Sequence, residues 1–238
     1  MDDLIERLDW DSAFFGISIA HANLDGATAD TLRELEAQAL AQEIACLYGT
    51  LEPTDETAAY LLQTFGYRLV EVSINWDRPQ MPFTPKPTSS VVRPGTPDDV
   101  PALEPAIRTV AAWSRYAADP HFGLDAARRM LQAWVERAAH RTGDRALVVA
   151  HDESGVTGMA TFGRSQVPRI DGAGGTKPGT GAADALMAAF FEWAGVGPTE
   201  AGWTAARNVP VNRWLERLGF RANRTRYVFH RWFDGSEG

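Results

Sequence analysis

Gly179-Thr-Gly-Ala-Ala-Asp-Ala-Leu-Met187 is a glycine-rich turn that runs directly into a helix, and the rest of the chain is organised around it. Beyond it, Leu186, Met187, Phe190, Phe191 and Ala194 recur at helical spacing, so one face packs while Asp184 and Glu192 look outward. Ahead of it, Gly172-Ala-Gly-Gly-Thr-Lys-Pro178 has the composition of neither a helix nor a well-packed strand. Together they predict a bare helix N-terminus: unpaired N–H groups, the positive dipole end, no Cβ atoms in the way, and Lys177 alongside. Such an end holds phosphate or pyrophosphate. Lys177, Gly179, Thr180, Gly181, Ala182 and Ala183 are the residues expected to form that cradle. A glycine turn before a helix can equally be a plain loop, so the rest of the chain has to decide.

The chain has 238 residues, enough for one large domain or two small ones. With 45% hydrophobic and 23% charged residues it reads as a soluble globular protein. A formal net charge of −8 carries no basic footprint for nucleic acid. The single cysteine, Cys46, excludes an intrachain disulfide and a cysteine-rich zinc site, and no metal site is expected. Phe14-Phe-Gly-Ile-Ser-Ile-Ala20 is too short for a signal sequence or a membrane span. The expectation is a cytoplasmic protein with neither nucleic acid nor membrane as partner; the oligomeric state stays open, a homodimer included.

The first segment opens on the aromatic and acidic run Leu8 to Gly16, with Asp11 or Ser12 capping a short turn. A helix over 29–43, a buried strand over 44–51, a helix over 53–65 capped by Thr54, and a strand over 68–76 follow. Residues 77–90 hold four prolines and read as a semi-rigid linker, separating a small αβ domain (1–80) from a second domain (88–238). The second domain starts with a strand at 90–94 and a helix opening at Thr96-Pro97. A polar-aromatic loop runs from Ser114 to Phe122, a helix covers 125–140, and a hairpin covers 145–162. After the central turn come a strand at 202–207, a helix over 208–218 stopped by Gly219, and a last strand over 224–233. This order implies an α/β fold with a mixed sheet and helices on both faces. Leu61-Leu-Gln-Thr-Phe-Gly-Tyr-Arg68 also echoes Trp214-Leu-Glu-Arg-Leu-Gly-Phe-Arg221. The echo is either a common helix end feeding a strand or the sign that the first segment is a truncated relative of the second.

These elements together resemble the GNAT superfamily of acyl-CoA-dependent N-acetyltransferases. In that fold a Gln/Arg-x-x-Gly-x-Gly/Ala turn holds the coenzyme A pyrophosphate, and here the turn is Thr176-Lys-Pro-Gly-Thr-Gly181. The later Asn-x-x-Ala-x-x-Leu-Tyr-Glu-x-x-Gly-Phe pattern is matched by Asn208-Val-Pro-Val-Asn-Arg-Trp-Leu-Glu-Arg-Leu-Gly-Phe220. More narrowly, the chain is similar to the TDP-fucosamine acetyltransferase group, which acetylates a 4-amino sugar on a nucleotide. The shared features are the Asp-Trp-Asp-Ser-x-Phe-Phe-Gly opening, the Ser114–Phe122 loop, the Trp134–Arg137 helix and the Phe229–Trp232 ending. The resemblance covers nearly the whole chain. It implies a GNAT acyltransferase fold preceded by a smaller, truncated GNAT-like αβ domain, with acetyl-CoA or another acyl-CoA as co-substrate. Two positions depart from the pattern. Thr176 stands where Gln or Arg supports the pyrophosphate, and Leu215 stands where a Tyr protonates the departing thiolate.

Acyl transfer to an amine needs a positioned thioester, a neutral amine and a stabilised oxyanion. The first and third can come from backbone N–H groups between two splayed strands. For the proton, Asp171 on the glycine-rich strand and His230 on the last strand are the candidates, with His121 and His151 behind them. A solvated loop carboxylate and a structural histidine are the plainer accounts of both. Ser114, Arg115, Tyr116 and Asp119 could grip a sugar or its diphosphate, and Asn208 could contact pantetheine; capping explains Ser114, Asp119 and Asn208 as well. The expected activity is transfer of an acyl group from acyl-CoA to a small-molecule amine, an amino sugar on a nucleotide among them. The alternatives are a non-catalytic acyl-CoA-binding descendant, or a GNAT-like enzyme that turns acyl-CoA to decarboxylation or transfer onto a carrier protein.

Overall fold

The computed structural model describes residues 4–84, 88–140, 145–164, 166–177 and 179–233. Pro178, residues 85–87 of the proline-rich stretch and the tail from 234 lie outside the described residues. The chain forms two compact units: Met1–Ser73 together with Thr225–Gly238, and Ile74–Arg224. The last strand, read in the sequence with the second segment, thus pairs inside the first unit. The changeovers fall within strands rather than in the proline-rich stretch.

In the first unit, β1 (Glu6–Arg7), α1 (Asp9–Phe15), β2 (Ile19–Asn23), α2 (Ala29–Ala41), β3 (Cys46–Leu51), α3 (Glu56–Thr64) and the start of β4 (Arg68–Arg78) follow in order. Ser12 does not cap α1. Its hydroxyl donates to Leu8 O at 2.7 Å and accepts from Ile19 N–H at 2.9 Å, tying the helix to β2. The α1 aromatics stay outside the core, with Trp10 stacked on Phe14 at 5.2 Å. β2 and β3 are parallel, joined by α2, whose capping box is closed by Thr28 and Thr31 and whose buried face is Leu32, Leu35 and Ala39. Asp55, not Thr54, caps α3, its carboxylate accepting from Ala58 N–H at 3.0 Å. The final strand β10 (Arg221–Trp232) pairs antiparallel with β3, placing Trp232 beside Cys46 and His230 beside Tyr48.

In the second unit, β5 (Val91–Pro94), β6 (Arg145–Asp152), β7 (Gly155–Arg164) and β8 (Pro168–Gly175) are successively antiparallel, and β9 (Thr199–Ala205) lies parallel to β8. Helices α4 (Glu104–Ala111), α5 (Arg115–Ala118), α6 (Gly123–Ala139), α7 (Ala182–Ala194) and α8 (Val209–Arg217) surround this sheet, and a 3-10 helix (Pro97–Leu103) leads into α4. Two cores result. One gathers Trp76, Phe162, Ile170, Leu186, Met187, Phe190, Leu215 and Phe220 around α7 and α8; the other gathers Leu103, Ile107, Val135, Leu147 and Met159 around α4 and α6.

The structure corrects the reading of Gly172–Gly175, which belongs to strand β8. Its glycines serve close approach. A Cβ on Gly174 would meet Val110 Cγ2 at 2.8 Å and Ala106 O at 3.3 Å, so α4 can lie against the strand only because that side chain is missing. On the neighbouring strand β7, a Cβ on Gly158, the partner of Gly175, would meet Ala182 Cβ at 3.2 Å and Leu186 Cδ1 at 3.3 Å, which seats the start of α7. The Ser114–Phe122 stretch, expected as loop, contains the short helix α5. α3 and α8 end alike: Gly66 (φ 77°) and Gly219 (φ 86°) stop them, while Tyr67 and Phe220 N–H return to Leu62 and Leu215 O at 2.9 and 3.0 Å. The echo therefore corresponds to one shared helix-end geometry.

Candidate active site

The site is built where β8 and β9 part. β8 is paired with β7 from Pro168 to Gly175, but with β9 only at Arg169 and Ile170. On the β7 side the register skips at this point, Thr161 facing Gly172 and Phe162 facing Ile170, so Asp171 is the extra residue of a bulge. Past the bulge, the edge of β8 from Gly172 to Gly175 runs without a β9 partner towards the central turn.

That turn leads into α7 with Gly181 as N-cap at φ 75°, which has no side chain to cap the helix; Thr180 Oγ1 accepts from Ala182 N–H at 3.4 Å. Gly179 is also left-handed, at φ 77°. Such backbone favours glycine, because a Cβ there crowds the carbonyl. The turn is pinned from β5's approach, where Ser90 Oγ donates to Thr180 O at 2.9 Å and Thr88 Oγ1 to the same oxygen at 3.5 Å. A cavity of about 440 Å³ opens here, lined by Lys177, Gly179, Thr180, Gly181, Ala182 and Ala183 together with Gly175, Asp184, Trp214, Arg217 and Leu218, so one carboxylate, Asp184, shares it with two cations. All six cradle residues expected from the sequence therefore face one cavity at an uncapped, positive helix end.

Five cavity residues were not expected there, Gly175, Asp184, Trp214, Arg217 and Leu218, and two of them could serve a ligand. Arg217, in the last turn of α8, adds a second exposed cation to Lys177. Trp214 brings an indole whose Nε1 is buried and has no hydrogen-bond partner. The signal for both was the helical register of the Asn208–Phe220 motif, which sets positions 214 and 217 three apart on one face.

The other expected residues fall elsewhere. Asn208 caps α8, its Oδ1 accepting from Val211 N–H at 3.4 Å. Ser114 caps α5 and donates to Ala111 O at 2.8 Å. Arg115 reaches Tyr116 Oη at 2.7 Å, and the Tyr116 ring meets Phe122 edge-on at 5.4 Å. Asp119 is 1% exposed and accepts from His121 N–H at 3.0 Å, with His121 Nδ1 at 3.1 Å. This group lies beside the end of β9, because Arg207 donates to Ala112 O at 3.3 Å and Ser114 O at 3.1 Å. Asn212, not singled out beforehand, joins β9 to α8 by accepting from Thr204 Oγ1 at 2.8 Å and donating to Ala205 O.

Asp171 lies over Gly163 and holds Arg169 Nε at 2.5 Å, with Arg145 Nε 3.9 Å from its other oxygen. His230 belongs to the first unit, 1% exposed and stacked on Tyr48 with ring centroids 4.5 Å apart. Leu215 is 2% exposed in the α7–α8 core, so the cavity takes its neighbour Trp214 instead.

No protein-family model matches the chain. It is 28% identical over 229 residues to the dTDP-fucosamine acetyltransferase of Escherichia coli O6:H1 (strain CFT073), covering 94% of this chain and 91% of that protein. Among solved structures, a functionally unknown conserved protein from Staphylococcus epidermidis superposes with a TM-score of 0.70 at 15% identity, over 98% of this chain and 92% of that one. A GCN5-related N-acetyltransferase from Sphaerobacter thermophilus gives 0.56 at 14% identity, over 90% of this chain and 73% of that one. A tandem GNAT protein from the clavulanic acid biosynthesis pathway gives 0.54 at 14% identity, over 91% and 76%.

Proposed function

We propose that this chain, whose fold is that of the GNAT acyltransferases, transfers an acyl group from acyl-CoA to the amine of a small molecule, a nucleotide-linked amino sugar being the acceptor. The acceptor class rests on the likeness to the dTDP-fucosamine acetyltransferase. The observation that carries the reaction class is the parting of β8 from β9 at the Asp171 bulge, leading straight into the uncapped end of α7.

The residues fit such a co-substrate. First-turn N–H groups of α7 would hold a diphosphate, with Lys177 and Arg217 balancing its charge, and the free edge of β8 would offer main-chain groups to an extended arm. When bound, the co-substrate supplies the activated thioester. Around it, α4 and α7 pack tightly against β8 and fix the strand's edge, and a rigid edge is what positions an oxyanion donor before the reaction begins. Asp171 is the proposed proton acceptor for the amine, since it sits on the bulge; its ion pairs with Arg169 and Arg145 must then loosen. Ser114, Arg115, Tyr116 and Asp119 are assigned to the acceptor side as the frame of its loop, Tyr116 and Asp119 being buried.

Release of thiol from acetyl-CoA over a panel of amines, including a nucleotide-linked 4-amino sugar, tests this reading. Turnover that falls sharply in Asp171→Asn supports it. A protein that binds no acyl-CoA at millimolar concentration overturns it. One observation favours a second reading, an acyl-CoA-binding protein without turnover: Leu215, where the resemblance places a proton donor, is a packed core residue. Binding without thiol release on any amine would decide for that reading.

A further inference from the structure

At the other end of α7 from the cradle lies a second, larger cavity of about 700 Å³, lined by residues that the acyl-transfer reading does not use. Its walls come from the C-terminal half of α7, the start of β9 and the segment after β4. Arg78, Met81, Phe83, Phe191, Glu192 and Thr199 carry its chemistry.

Arg78 is 4% exposed, and among the described residues no carboxylate pairs with it. Its guanidinium lies 4.3 Å over the Phe191 ring, while Nε donates to Leu218 O at 2.7 Å and one Nη to Pro82 O at 3.1 Å. A guanidinium has five N–H donors, and two are used. Burial alone pulls its pKa down from the ordinary arginine value. A buried cation facing only carbonyls and a ring lacks the anion that would offset its desolvation. Independently, Thr199 is 3% exposed, and its hydroxyl is buried without a hydrogen-bond partner. A guanidinium with unused N–H groups and an unpartnered hydroxyl thus belong to residues lining one cavity whose remaining walls include Met81, Pro82, Phe83, Phe191 and Val196. A few polar groups set in apolar walls is the usual make-up of a small-molecule site.

We infer that this cavity binds a small carboxylate on an apolar or aromatic body: the carboxylate accepts from Arg78 and Thr199, and the body lies against Phe83 and Phe191. Glu192 at the mouth is exposed, and opposes any second negative charge there. The ligand is therefore a monoanion, an added ammonium group being compatible with Glu192.

The test uses the full chain and 4-phenylbutyrate as probe, with 4-phenylbutanol as its uncharged counterpart, by calorimetry and ligand-observed NMR. The carboxylate should bind with Kd of about 0.1–1 mM, the range open to a ligand of that size. The alcohol should bind at least about tenfold more weakly, since charged hydrogen bonds are the stronger kind. Arg78 anchors the fold around it, so the variants are Thr199→Val, nearly isosteric, and Ala188→Trp, which fills the cavity; circular dichroism verifies that both fold. Thr199→Val should weaken 4-phenylbutyrate about three- to tenfold, and Ala188→Trp should abolish binding. No binding up to about 10 mM, a limit well beyond that range, overturns the inference. So do equal affinities for acid and alcohol, or affinity unchanged in both variants.

Discussion

Replacing Gly181 with alanine should destabilise the protein through one identifiable side chain. The residue sits at φ 75°, where a Cβ costs about 1–2 kcal/mol in contact with the following carbonyl. The new carbon would also overlap Thr88 Oγ1 and come within 3.0 Å of Thr88 Cβ. Thr88 can rotate away, but it then gives up the bond its oxygen accepts from Ser90 N–H at 3.1 Å, worth about 1 kcal/mol net. The total is about 2–3 kcal/mol, which for a chain of this size lowers Tm by about 4–12 °C. Thr88→Ala alone should cost about 1 kcal/mol for the same bond. In the double variant that loss is counted once rather than twice, so the two changes should fall short of additivity by about 1 kcal/mol. Thermal melts of the four proteins measure this directly. Strict additivity, or a Gly181→Ala melt identical to the parent, would refute the argument that Thr88 fills the space a side chain needs.

The same structure sets further expectations. Lys177→Ala and Arg217→Ala should each weaken coenzyme A about two- to fivefold near physiological salt, the worth of an exposed charge; calorimetry at two salt concentrations should show the loss shrinking as salt rises. Trp214→Phe removes a buried, unpartnered N–H, so the free protein should melt at the same temperature or higher while coenzyme A binds less tightly; a drop in both would assign Trp214 to packing alone. Leu215→Tyr should cost about 1–3 kcal/mol by overpacking the core, so any gain in thiol release must be read against a lower Tm. Asp99, held by the Arg93 guanidinium at 2.6 Å and by Thr96, has its pKa pulled down to about 2. The unfolded chain then takes up the proton more readily, so the stabilisation is complete above about pH 4 and disappears as pH falls toward 2, roughly 2 kcal/mol in all; Asp99→Asn should flatten that part of the acid denaturation curve.

Local signals carried far in this sequence. Helix α7 and its glycine turn, the β6–β7 hairpin with its Asp152 turn, and the glycine-stopped ends of α3 and α8 all rest on interactions spanning a few residues. What failed to show depends on distant partners. Gly172–Gly175 is a strand because α4 and α7 close on β8 and β7, and no pattern within those residues announces two neighbouring helices. Asp55 outranks Thr54 as the cap by geometry alone, one residue away. At the candidate site, Lys177 to Ala183 were legible because a glycine turn is a local device. Trp214 was hidden among apolar residues of an amphipathic helix, and the indole that lines the cavity differs from the buried Leu215 only by one step of rotation. Asp119, read as a sugar contact, has its acceptors turned inward to His121, which spacing could not reveal. The segment after β4 was read from its prolines as a spacer, yet Phe83 lies 4.6 Å from Phe191 and Arg78 reaches both Leu218 and Pro82.

β10 belongs to both units in turn, Arg221–Arg224 to the second and Thr225 onward to the first. Because β3 is completed by residues 227–232, a growing chain cannot finish its first unit until residue 232 has left the ribosome. The stretch from Ile74 to Arg224 is continuous and can close on itself earlier, reversing the usual N-terminal-first order of synthesis-coupled folding. During that interval β3 presents an apolar, unpaired edge, the kind of surface that invites strand exchange between neighbouring nascent chains. A stop codon anywhere before residue 227 would therefore leave its mark far upstream, at Cys46–Leu51.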